Sequence, residues 1–333
     1  MLNQNQDNDK DEEENTNKFH INLEAERSIW LDVIYGKYIP KVETCRKCNK
    51  NSFSIIDHNS IINPIYFCCN NKQCKSRHSL RNNTIFDKFP KTPASVLIDI
   101  IYWFIVENSN ANIIKEKLIN KYHLDAYNSN TIYNILDLIR RYITHYYRDK
   151  YILEKMYQGI NGHFAVDECN FTHEGTEQVW EIGAIETSTK EIRIDIIHGR
   201  TANNIEKFIK KYIPPHSTVI TDGWSGYQWM NRINSRYNHI VHSHAAGDFG
   251  YGLESTSHIE SLWANLKFLI KRMYNMIPSS NFYGFLKESE FRHNISNLNN
   301  MSKIDAIFDI FNYIANAYDN NPLKIEDLIN SDY

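Results

Sequence analysis

Apolar and polar residues change their spacing along this chain in steps, and each step predicts a different kind of structure. Residues 1–26 are polar and acidic, so they bury too little to offset the entropy of ordering and are expected to form a disordered tail. Residues 40–90 hold short apolar bursts, Phe53–Ile56 and Ile65–Phe67, set between cysteines as short strands would be. Residues 93–148 switch to helical spacing. TPASVLIDIIYWFIVEN begins with Thr92 as candidate cap and Pro93 in the first turn, NANIIKEKLINKYHL follows, and NSNTIYNILDLIRRYITHYYR starts from a Ser/Asn cap. Three helices, the last two closely joined, fit a helix-turn-helix unit that binds DNA, with Arg140 and Arg141 as candidate contacts. A plain helical connector is the alternative.

Residues 160–300 alternate between periods. GHFAVDECNF, QVWEIGAIET and EIRIDIIHG read as three strands joined by polar turns, ANNIEKFIKKYI as an amphipathic helix, and STVITDGW and HIVHSH as further strands. Two helices follow, in STSHIESLWANLKFLIKRMYN and FYGFLKESEFRHNI. The class is α/β, and the order of a three-strand meander, a helix, strands and helices resembles the ribonuclease H-like fold. Residues 301–333 are expected to be a helical acidic tail.

Composition sharpens this picture. In 333 residues, 42% hydrophobic and 13% aromatic content is enough for a packed core, which excludes a wholly disordered chain. No run of 18 apolar residues occurs, so no spanning helix and no membrane partner are expected. The first residues offer neither a basic nor an apolar segment, so a secretory signal is not expected and the protein should work inside a cell. The net charge of −3 divides into −6 over residues 1–26, −4 over 301–333 and +7 over the rest. A basic body between acidic ends is compatible with a polyanionic partner.

Cysteine use points to metal. Cys45-x2-Cys48 is followed by Cys68-Cys69 and Cys74, and a structural zinc site needs four soft ligands from two such loops. The expected set is Cys45, Cys48, Cys69 and Cys74, with Cys68 open as an alternative to Cys69 and His58 or His78 as substitutes for one thiol. Cys169 stands alone on a strand and reads as a small core residue.

Three acids stand out by their setting. Asp167 closes an apolar strand in HFAVDE, Asp222 ends another in TVITDGW, and Glu260 lies in the helix of TSHIESLWANLK. Two strand-end acids and one helix acid are a donor set for two hard divalent cations such as Mg²⁺. Glu168, next to Asp167, points to the other face of its strand, and Glu254, in FGYGLES, is a second candidate for the third acid. Lys267 lies two helical turns after Glu260 on the same face, where it could meet a phosphate. An exposed helix lysine is the alternative.

These motifs resemble a DDE transposase of the Merlin superfamily and its bacterial insertion-sequence relatives with an N-terminal zinc ribbon. The resemblance rests on CRKC…CNNKQCKSRHSLRNNTIF, VDECNF, TVITDGWSGY and HSHAAGDFGYGLESTSHIESLWANLK, which span about 45–295. It is carried most specifically by Thr256, Ile259, Glu260, Trp263 and Lys267. It implies that Asp167, Asp222 and Glu260 are a catalytic triad binding Mg²⁺ or Mn²⁺, with Lys267 beside them. It further implies cleavage and strand transfer at terminal inverted repeats, double-stranded DNA as partner (transposon ends and target), a homo-oligomeric active complex, and a nuclear location in a eukaryotic host. The Cys68-Cys69 doublet and the 245–255 loop depart from the family pattern. A transposon-derived DNA-binding protein without catalysis is the second reading, and a zinc-ribbon transcription factor the third.

Overall fold

The computed structural model describes residues 19–38, 44–45, 47–82, 84–149, 162–171, 180–232, 235–243, 246–274 and 282–318. They fall into two compact units, residues 1–139 with 299–333, and residues 140–298. Tail residues 1–18 and 319–333 lie outside the described residues. No helix among those described is long and apolar enough to cross a membrane.

The first unit begins with a helix, α1 (Leu23–Ser28), capped by the Asn22 side chain, and a π-helical turn, Ile29–Ile34. Strands β1 (Phe53–Asp57), β2 (Ile65–Cys69) and β3 (Arg77–Ser79) form an antiparallel sheet in that order. Helices α2 (Ala94–Ile105), α3 (Ala111–Tyr122) and α4 (Ser129–Asp149) follow where their periodicity places them. Buried Arg81 organises the join between sheet and helices, donating to the carbonyls of Ile62, Phe86, Phe89 and Thr92.

Two segments with tail-like composition are structured. Phe19 and Glu26 are buried, and Glu26 accepts from the backbone N–H groups of Ala94 at 2.7 Å and Ser95 at 3.3 Å. A carboxylate there satisfies the orphan donors of the first turn of α2 and meets its positive dipole end. The cap position itself is Pro93, not Thr92. At the other end, α8 (Asn300–Tyr318) buries Ile304, Ile307, Phe308, Phe311 and Ile314 at helical spacing. The Tyr38 ring stacks on Phe308 with centroids 3.9 Å apart, and its hydroxyl donates to Asp305 at 2.8 Å. The helix expected within the acidic tail is present and packs by an apolar face, and four of the six acids in 301–333 lie beyond residue 318.

The second unit is built on a five-stranded sheet. Its strands are β4 (His163–Asn170), β5 (Trp180–Glu186), β6 (Ile192–Ile197), β7 (Thr218–Asp222) and β8 (Asn238–His242), in the order β6-β5-β4-β7-β8. The first three form an antiparallel meander, while β7 and β8 run parallel to β4. Helix α5 (Ala202–Tyr212) follows β6, and α6 (Ser257–Tyr274) and α7 (Phe282–Asn294) follow β8. This order and mix of directions is the ribonuclease H-like fold that the element pattern predicts. One face packs Phe164, Val166, Ile182 and Val219 against Ile205, Phe208 and Ile209 of α5. The other packs Ala165, Cys169, Ile185 and Ile194 against Ile259, Leu262, Trp263 and Leu266 of α6.

Helix α7 buries charge as well as apolar surface. Arg140 donates to Glu288 at 3.0 Å, Arg292 donates to the same carboxylate at 2.7 Å, and Lys287 pairs with Glu290 at 3.0 Å. Arg140 also lies 4.0 Å from the Phe285 ring centroid. This changes the reading of Arg140 as a DNA contact: the side chain is committed to a buried pair within its own unit.

Candidate active site and metal centre

Strands β4 and β7 place His163, Phe164 and Ala165 opposite Thr218, Val219 and Ile220. Continued by two residues, this register sets Asp167 beside Asp222. Ala165 and Cys169 pack under α6, so alternation turns Asp167 and Asp222 toward the same helix. Glu260 is half-buried in the first turn of that helix, one turn before Trp263. Burial pushes the Asp167 carboxyl up to about 6, and the Asp222 charge adds to this, while the backbone N–H of Glu168 and the Arg200 guanidinium act in the opposite direction. Asp222 accepts from the Trp224 N–H at 3.0 Å, which fixes the turn at Gly223.

Closeness differs between the two candidate clusters. The ligand atoms of Cys45, Cys48, Cys69 and Cys74 all lie within 4.8 Å of one another, and among the described residues this quartet alone meets that separation. Asp167, Asp222 and Glu260 share a face without closing to it. Their oxygens remain a hard donor set that fits Mg²⁺ or Mn²⁺.

The alternatives to the triad have other partners. Glu168 sits on the α5 side, accepts from the Tyr227 hydroxyl at 2.8 Å, and pairs with Arg200 at 3.1 Å. Exposed Glu254 faces His163 at 3.7 Å. Lys267 has protein partners of its own. Its ammonium lies 5.5 Å from the Phe171 ring centroid, and its charge acts on Cys169 and Glu181. Glu181 is fully buried opposite Cys169, and burial pushes its carboxyl up to about 8.

Three residues of this region carried no motif, Gly183, Glu181 and Arg200, while Tyr227 closes the TVITDGWSGY block without an assigned role. Gly183 pairs with Asp167 across β4 and β5, and a Cβ there would meet the Trp263 ring at 2.8 Å. The absent side chain lets α6 lie close to the sheet. The alternation of WEIGAI, with Glu181, Gly183 and Ile185 on one face, is the signal that would have placed the first two.

In the cysteine module the chain turns tightly at each thiol pair. The N–H of Cys45 donates to the Lys50 carbonyl and that of Asn49 to the Cys45 carbonyl, both at 2.8 Å, with Asn49 at φ +56°. The Lys47 N–H lies 3.4 Å from the Cys45 sulfur. Cys45 and Cys74 sulfurs are 3.8 Å apart, and those of Cys48 and Cys69 are 3.6 Å apart. Cys68 points along its own strand toward the Cys69 carbonyl. His78 lies beside the quartet, 3.5 Å from the Cys45 sulfur. Hydrogen bonds from Ser76 and then His78 hold the Cys45 thiol down at about 5, a thiolate ready for a soft cation. Four sulfurs at this separation fit one tetrahedral zinc.

The model of the ISXO2-like transposase domain matches residues 156–294. This span contains Asp167, Asp222, Glu260 and Lys267 and leaves the cysteine module outside it. No curated protein matches the chain significantly. Similar solved structures include the catalytic core domain of the HTLV-2 integrase in complex with magnesium, in a dimeric form. It is 8% identical, with 41% of this chain and 86% of that chain covered and a TM-score of 0.26. Another is the simian T-cell lymphotropic virus intasome in complex with the PP2A regulatory subunit B56 gamma. It is 14% identical, with 61% of this chain and 69% of that chain covered and a TM-score of 0.29.

Proposed function

We propose that this chain, which carries an ISXO2-like transposase domain over residues 156–294, is a DDE transposase that cuts and joins DNA at terminal inverted repeats. One observation supports the reading: β4 and β7 pair in parallel through Ala165 and Ile220, and Asp167 and Asp222 each lie two residues further along these strands, on the side packed by the helix that bears Glu260. Two divalent cations, Mg²⁺ or Mn²⁺, would neutralise charge on the entering and leaving oxygens of a phosphodiester. Asp167, Asp222 and Glu260 would hold them, the first two fixed by a central sheet and the third by a helix packed on it. Water attacks a phosphodiester at the transposon end, and the freed 3′-hydroxyl then attacks target DNA in line. The protein's part is positioning and charge stabilisation, because phosphoryl transfer asks for little covalent help.

The zinc module and the helical segment serve end recognition, and the active complex on transposon ends and target is a homo-oligomer. In a eukaryotic host it acts in the nucleus. The test is cleavage of duplexes taken from the DNA flanking the coding region, with Mg²⁺ or Mn²⁺ added. Metal-dependent nicking at an inverted repeat is expected. Binding to those duplexes without nicking in either metal favours the non-catalytic DNA-binding reading.

A further inference from the structure

Arg200 is a charged group beside the candidate carboxylates that the triad leaves unused. It lies between β6 and α5, one residue before the Thr201 cap. Its Nε and Nη2 reach Glu168 at 3.2 and 3.1 Å, and Nη2 is 3.8 Å from Asp222. The guanidinium carbon lies 4.3 Å from the Trp224 ring centroid and 5.5 Å from that of Trp180. Glu168 is itself buried and held from its other oxygen by Tyr227. The guanidinium is therefore oriented along one edge and stacked on a ring, which leaves little rotamer entropy to lose on binding. No described residue accepts from Nη1, and the side chain keeps 29% of its surface exposed.

We infer that Arg200 is a phosphate-binding residue of the carboxylate site, aimed by Glu168, Tyr227 and Trp224 at the phosphodiester that is cut. This inference rests on the transposase reading of that site. Asp222 would hold a divalent cation through its carboxylate, and that cation would take a phosphate oxygen of the DNA as a further ligand. The Arg200 guanidinium stands 3.8 Å from the same carboxylate, and the exposed part of its side chain leaves donors to meet such a phosphate. Planar donors suit phosphate oxygens, and a guanidinium keeps its charge at any working pH. Glu168 thus serves by holding the arginine, as a positioning residue, and not as a fourth metal ligand.

The test uses the full chain and flanking-DNA duplexes carrying one neutral methylphosphonate, moved step by step through the cleaved position and its neighbours. On unmodified DNA, Arg200→Ala should cut on the order of 10²-fold more slowly than the parent, with its melting temperature held within a few degrees. Arg200→Lys should keep most DNA binding and recover only part of the rate, because it restores the charge without the fork. If Arg200 contacts the cut phosphate, the parent-to-Ala ratio should collapse to about one when that phosphate is neutral, and persist elsewhere. A ratio that persists at every position overturns the inference while the transposase reading stands. A parent that cuts no flanking duplex in either metal overturns that reading and this role together. Should Arg200→Ala fold poorly, the same ratio measured with Arg200→Lys decides.

Discussion

The four thiols of the cysteine module come from one turn, from the end of β2 and from a second turn before β3, with Cys69 lying 21 residues after Cys48 and Cys74 29 residues after Cys45, and they close to within 4.8 Å of one another. The candidate acids of the second unit ride on two central strands and a helix, each packed by its own apolar neighbours, and stay further apart. The difference follows from what each scaffold can do alone. A three-stranded sheet whose longest strands have five residues has little core, so a soft cation cross-linking it would supply folding energy. A five-stranded sheet covered by helices folds on its own packing and can hold like charges near one another. Under the proposed function, metal and fold are coupled in the first region, and metal and chemistry in the second.

Removing zinc is the strongest way to break that contrast. Structural zinc contributes on the order of 10 kcal/mol in small modules, so chelation or Cys48→Ser should open the module around residues 44–79. Hydrogen exchange should rise across β1 to β3 and stay unchanged in β4 to β8. Unchanged protection in β1 to β3 after chelation would show that the small sheet stands without metal and would dissolve the comparison.

The opposite result is expected at Asp222. Asp222→Asn should lower metal-dependent cleavage by at least about 10³-fold, roughly 4 kcal/mol of barrier, while melting temperature and end binding hold. Loss of one carboxylate also relieves the Asp167 carboxyl of a like charge. Cleavage at near-parental rate by this variant would remove Asp222 from the site.

Much of this was legible in advance, and the reasons are local. Strand-like runs placed all five strands of the second unit, and a paired cysteine spacing placed the thiol quartet. What could not be read depends on partners distant in sequence. Glu26 looks like a tail acid until it meets Ala94 and Ser95. Arg140 looks like a DNA contact until it meets Glu288. Arg200 follows a glycine turn with no motif, and its partners lie 32 and 22 residues away in sequence. Charged residues are read from a sequence as surface by default, and the pairings that bury them leave no periodic trace.

Glu181 tests how much charge the catalytic unit tolerates. Its folded carboxyl is raised to about 8 from an ordinary value of 4.5 by burial, against the charge of Lys267. The raised value favours the protonated fold. Its contribution is fully present below about pH 4.5 and is lost progressively as pH climbs through about 8. Glu181→Gln should remove that slope, matching the parent near pH 4 and exceeding its stability by about 5 kcal/mol at pH 9. Denaturant titrations across pH measure this directly. Parallel pH profiles for the two proteins would mean that Glu181 ionises freely in the fold.

The smallest expected effect is the most local. At Gly183 a methyl group would press on the Trp263 ring at 2.8 Å and on Ile259 at 3.4 Å. Overpacking of this kind costs about 2 kcal/mol in Gly183→Ala, and relief requires α6 to lift from β5. Because α6 carries Glu260 while Asp167 lies directly across from Gly183, the lift should widen the gap between these two acids. Cleavage should therefore fall more steeply than stability does, and higher Mn²⁺ should recover part of it. Trimming the ring in Gly183→Ala/Trp263→Leu should restore stability toward the parent more than the two single losses would predict. Additive losses would mean that the ring and the strand do not set the height of α6, and that Glu260 is positioned by something other than this contact.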